Sequence, residues 1–119
     1  PSLMPATAWA SMIDGLAKHF GENAKLSPQL TRSVRDYLVA NAAEAFDTLP
    51  AHRLRQLDPA EPLRITATPF WRHAHADIPA DVFKTKAVGG TGNCNACHGD
   101  AASGAFYPAA IRIPEGAAK

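Results

Sequence analysis

The stretch "GGTGNCNACHGDAASG", residues 89–104, holds the only two cysteines of the chain. Cys94 and Cys97 are three positions apart and His98 follows at once, which is the C-x-x-C-H form of a c-type haem attachment site. Two thiols at this spacing can add across the vinyl groups of haem as thioethers, and the histidine can supply an axial nitrogen to the iron. One turn of backbone brings both sulfurs to neighbouring corners of a porphyrin and sets the next side chain beneath the metal. Other uses of the pair fit less well. A structural zinc site needs further ligands, usually thiolates, and no third cysteine exists. A redox C-x-x-C sits where a strand of a β-α-β unit meets a helix, whereas Val88-Gly89-Gly90-Thr91-Gly92 reads as a loop.

A second axial ligand has to come from His19, His52, His73, His75, Met4 or Met12. On a helix starting at residue 69, Trp71, His75 and Ile78 share one face at i, i+4, i+7. His73 then lies about 200° round from His75, so the two cannot face one iron. The apolar company of His75 makes it the ligand candidate, with Trp71 beside it against the cofactor, while His73 next to Arg72 points to water. Met12 falls in the middle of an apolar helical stripe, where a core role fits better than ligation. Met4 can serve only if the chain end folds back. Two imidazoles would close the iron and make an electron-transfer site, at a lower potential than a Met/His pair. If His75 is packed but does not ligate, one iron position stays open. The alternative is then a monohaem gas-binding protein or a peroxidase-like enzyme.

These residues need elements to hold them. Trp9, Met12, Ile13, Leu16 and Phe20 recur at helical spacing, which predicts a helix over 7–20 with Gly21 as its C-cap. His19 lies near the end of that helix, where the helix dipole favours a half-exposed histidine. Ser27-Pro28 starts a second helix with Ser as N-cap, and its stripe runs to about Phe46. Residues 48–62 break the pattern and read as a linker with at most a short helix. "LRITATP" is the one strand-like stretch and is too short to imply a sheet. A third helix starts at Thr68-Pro69 and runs to about Ala76, and a fourth short one fits "PADVF". The segment "AFYPAAIRIPEG" is expected to be irregular and packed on the haem edge. The class is mainly α: a small c-type cytochrome of two short, haem-packed helical half-domains. Residues 1–50 form the N-terminal helical unit, 51–62 the linker and 63–119 the C-terminal haem c unit.

The totals agree with this. At 119 residues, 46% of them hydrophobic, the chain fits one small domain or two very small ones. Ten prolines and eight glycines leave much of it in turns. A net charge of +1 argues against nucleic acid or an anionic membrane as partner. No apolar run approaches the roughly 18 residues of a transmembrane helix, and no signal-like segment precedes Ala8-Trp9. Haem attachment to C-x-x-C-H in bacteria takes place outside the cytoplasmic membrane. The sequence is therefore expected to be a mature soluble periplasmic protein, or a piece of one.

"HFGENA" (19–24), "PLRIT" (62–66), "HADIP" (75–79), "NCNACH" (93–98) and "GAFYPAAIRIP" (104–114) occur in this order. Together they resemble the dihaem cytochrome c family called DHC, soluble bacterial proteins with two small haem domains joined by a linker. The resemblance implies bis-histidine haems and an electron-transfer role rather than an enzyme. It implies electron delivery to an oxygen-binding monohaem cytochrome, the sphaeroides haem protein, often beside a membrane b-type cytochrome. It makes His75 the distal partner of His98, and His19 the distal ligand of a first haem. One departure stands out: a dihaem protein needs two C-x-x-C-H motifs, and this sequence has one. In the family the first lies just before a segment like "PSLMPATAW", with which this chain begins. The expectation is a native chain that extends before Pro1, carries a second haem c there, and acts as a dihaem relay.

Overall fold

The computed structural model describes residues 1–117. Five short α-helices, α1 (Ala6–Asp14), α2 (Pro28–Ala40), α3 (Leu49–Arg53), α4 (Pro69–Ala74) and α5 (Ala80–Phe83), are joined by 3-10 turns, with no strand among the described residues. The mainly α reading holds.

The helix starts follow the sequence closely. Ser27 Oγ accepts the Leu30 N–H at the head of α2, with Pro28 at the first helical position. Thr48 Oγ1 accepts Ala51 N–H at the head of α3, and Thr68 Oγ1 accepts Trp71 N–H at the head of α4. Each hydroxyl satisfies a donor that the first turn leaves open. α1 is started from outside itself: the Glu44 carboxylate accepts Ala6 N–H at 3.0 and 3.1 Å.

The ends are where the sequence reading needs correction. The first helix stops at Gly15, not Gly21, and continues only as a 3-10 turn over Leu16–Lys18. His19 then opens a tight turn, closed by its carbonyl accepting Glu22 N–H at 3.0 Å. Phe20 and Gly21 have φ of 48° and 85°, the positive pair of a type I′ turn. α2 ends at Asn41, and the apolar positions beyond it belong to a separate 3-10 turn, Ala43–Ala45. "LRITATP" contains no strand: Ile65–Ala67 is a 3-10 turn leading into α4.

α1 packs on α2, burying Ala8, Ile13 and Leu16 from the α1 side. Ala43 N–H reaches the carbonyl of buried Met4 at 2.9 Å, which folds the first residues onto the middle of the chain. At the other end Val82, Val88 and Ala117 make a small core against Ile78 and Phe83. The expected linker 51–62 begins inside α3, and its Ala51 and Leu54 are buried. Arg55 ties this stretch down through the carbonyls of Ala51 and Ala43.

Candidate functional site

Cys94–Ala96 is a single 3-10 turn. The carbonyl of Cys94 accepts both Cys97 N–H at 3.3 Å and His98 N–H at 2.9 Å. This turn brings the two free thiols and the imidazole to one wall of an apolar cavity of about 310 Å³. The opposite wall comes from α4 and the turn after it, through Phe70, Trp71, Ala74, His75 and Ile78. Phe83 and Val88 close one side. The segment after the motif closes another with Phe106, Pro108, Ile111 and Ile113. It is held there by Arg112 N–H to the Cys97 carbonyl at 2.8 Å and Gly99 N–H to the Ala110 carbonyl at 3.3 Å.

His75 caps the C-terminus of α4. Its Nδ1 lies 2.8 Å from the Trp71 carbonyl, which can only accept, so Nδ1 carries the proton and Nε2 is left as the ligand atom. Trp71 stacks on the ring, with centroids 4.3 Å apart and planes at 21°, and Phe83 stands edge-on at 6.2 Å. His98 faces this group: the two imidazole centroids are 6.1 Å apart with planes at 74°. Metal–imidazole bonds run about 2.0–2.1 Å, so two imidazoles on opposite sides of one ion hold their centroids roughly 6 Å apart. Burial pushes the His98 imidazole below its usual pKa, the adjacent His75 adds to that, and Asp100 opposes it. The neutral form is the one that binds a metal. His98 Nδ1 is buried with no hydrogen-bond partner.

The donor set therefore fits haem c. Two thiols and two facing imidazoles open on one apolar, aromatic-lined cavity. No cluster of three or more His, Cys, Asp or Glu able to hold a bare metal ion occurs among the described residues. Cys94, Cys97, His98, His75 and Trp71 all line this cavity. His73 is exposed on the other side of α4, and neither Met4 nor Met12 reaches the cavity.

His19 lies elsewhere. It is half-buried in its turn, with Phe20 edge-on to its ring at 4.8 Å, and the Arg64 guanidinium sits 4.6 Å above the Phe20 ring. Phe20 is more than half exposed, as are Leu30 and Tyr37 on α2, which buries none of its residues.

Sequence reasoning missed Leu3, Leu49, Pro50 and Leu54, which line the same cavity from the N-terminus and α3. Local periodicity carries no signal for lining supplied by segments so distant from the motif. Gly104, with φ 71°, shows how close the approach is: a Cβ there would meet Ser2 Oγ at 2.7 Å.

A sequence model of the family described as dihaem cytochrome c matches residues 1–106. Among solved structures, the chain is similar to a dihaem c-type cytochrome from Shewanella baltica, with 32% identity and a TM-score of 0.73 over 97% of this chain and 81% of that one. It is also similar to the dihaem cytochrome c of Rhodobacter sphaeroides, with 35% identity and a TM-score of 0.69 over 88% of this chain and 82% of that one. No curated protein sequence matches it significantly.

Proposed function

The chain belongs to the dihaem cytochrome c family, whose function is electron transfer, and on that premise we propose that it carries haem c through Cys94 and Cys97, with His98 and His75 as the two axial ligands. Haem iron, when bound, supplies a one-electron ferric/ferrous couple. The rest is the work of the chain. His98 and His75 together would leave no coordination position for a substrate and would need little rearrangement between oxidation states. Trp71, Phe83, Phe106 and Ile111 line the site with apolar surface, and a low local dielectric strengthens the influence of fixed charges on the couple. The observation that carries this reading is the pair of imidazoles facing each other at 6.1 Å across a cavity into which both thiols open.

The finer role follows from the family. We infer a second haem with His19 as its distal ligand, its attachment cysteines coming from outside residues 1–119. The support is the half-buried His19 beside a helix pair that leaves Phe20, Leu30 and Tyr37 uncovered. The unit is then a dihaem relay in the periplasm, delivering electrons to an oxygen-binding monohaem cytochrome, with a membrane b-type cytochrome as a further redox partner. Among the described residues no helix is long and apolar enough to cross a membrane.

Carbon monoxide separates the closed site from an open one. The ferrous wild-type protein is expected to keep its low-spin spectrum under the gas. His75→Ala is expected to become high-spin and bind it, and His73→Ala to behave as wild type. Binding by the wild-type protein would favour a gas-binding or peroxidase-like centre instead. Intact mass of the native protein counts the haems, and a single haem overturns the relay.

A further inference from the structure

The two facing histidines are held by different means. His75 is fixed by a hydrogen bond from Nδ1 to the Trp71 carbonyl at 2.8 Å. His98 has no such contact, since its Nδ1 is buried without a partner. What touches the His98 ring is Phe106, edge-on, with centroids 5.0 Å apart and planes at 65°.

Phe106 reaches that position in a costly backbone conformation. Its φ of 51° lies in the left-handed region, which disfavours any residue with a Cβ and a large side chain most of all. Glycine would adopt it freely, as Gly104 does two residues earlier at 71°. The surrounding contacts enforce the conformation. Asp100 Oδ2 accepts the Tyr107 N–H at 2.8 Å, pinning the residue after Phe106 to the one two places beyond His98. Strain of this kind persists where neighbours over-determine the backbone, and it gathers at functional sites. The arrangement occurs twice: among the described residues Phe20 and Phe106 are the non-glycine residues with positive φ, and each stands edge-on to a histidine.

We propose that Phe106 is a positioning residue for His98: its strained backbone, anchored by Asp100, aims the ring edge that sets the plane of the imidazole in place of the missing Nδ1 hydrogen bond. The proposal deepens the haem reading and rests on His98 being an iron ligand. An imidazole free to rotate would present different orbitals to the iron, so the ring plane is legible in the electron paramagnetic resonance of the ferric protein.

The test uses the full-length holoprotein, with Phe106→Gly, Phe106→Leu and Phe106→Tyr compared at equal covalent haem content by pyridine haemochrome. Phe106→Gly removes ring and strain together, and Phe106→Leu removes the ring alone. Both are expected to shift and broaden the low-spin g-values of one haem and to move its midpoint potential. Phe106→Tyr, which keeps the ring edge, is expected to restore the wild-type signal. A purely packing role predicts a lower denaturant midpoint for Phe106→Leu with unchanged g-values. Unchanged g-values in both Phe106→Gly and Phe106→Leu overturn the proposal. A wild-type protein with no low-spin signal overturns the bis-histidine reading itself, and is seen before any variant is made.

Discussion

Two histidines two positions apart, His73 and His75, differ in everything that matters for ligation. His75 lies against Trp71 and Phe83 with its Nδ1 committed to a carbonyl, and His73 is exposed. The same discrimination operates on the thiols, because Cys94 and Cys97 are free and open on the cavity that both imidazoles face. Haem held only by axial bonds dissociates when the protein is denatured, whereas thioethers survive. Replacing both cysteines (Cys94→Ala with Cys97→Ala) is therefore expected to let the haem pass into acidified organic solvent, while in the wild-type protein it stays with the polypeptide. Haem extracted from the denatured wild type would contradict covalent attachment.

At the scale of elements, short helices depend on their caps. α4 spans only Pro69–Ala74, and isolated helices of that length are not stable in water. It forms because Thr68, 1% exposed, accepts Trp71 N–H and donates to the Ile65 carbonyl at 2.7 Å, while Arg72 pairs with Asp58 at 3.3 Å. Thr68→Ala removes the cap and the hydroxyl's bond to the Ile65 carbonyl, which keeps only the Thr68 N–H at 3.1 Å, a loss of about 1–2 kcal/mol. Because α4 carries Trp71 and His75, the same change is expected to loosen distal ligation and raise the high-spin fraction. Ser27→Ala removes the comparable cap of α2, which is exposed and touches no part of the cavity. It is expected to cost about 1 kcal/mol or less and to leave the haem spectrum alone. Denaturant titration with an absorbance readout checks the pair together.

At the scale of the whole molecule, the core among the described residues is small. Half of the buried apolar residues are alanines (Ala8, Ala42, Ala43, Ala51, Ala67 and Ala117), which bury little area each. The radius of gyration is 15.2 Å, against about 13.5 Å for a compact chain of this length. Phe70, Trp71, Phe83 and Phe106 line the cavity, where a bound haem would add its own apolar surface. Folding and haem attachment should therefore be coupled, since a group bound only by the native state adds its binding free energy to stability. The apoprotein, made without haem insertion, is expected to show weak near-ultraviolet circular dichroism and no cooperative unfolding transition. A sharp transition in the apoprotein would show that the polypeptide suffices.

The sequence by itself determined what depends on neighbours in the chain. Cys94, Cys97 and His98 are brought together by one turn of backbone, so their grouping was legible from spacing alone. Two helix starts were legible for the same reason, because Ser27 and Thr68 bond donors only three residues on, while the start at Thr48 was read as linker. The choice of His75 over His73 followed from helical geometry, though Ala74 is the last helical residue and the cap sets the final orientation. Tertiary structure decided the rest. Helix ends came early at Gly15 and Asn41, since apolar periodicity continues through residues that a 3-10 turn serves equally well. The cavity wall needs Leu3, Leu54 and Ile113 side by side, and no local pattern records a meeting between residues so far apart. The left-handed φ of Phe106 is imposed by contacts at Asp100 and across the motif, against the intrinsic preference of the residue, and so only the folded chain reveals it.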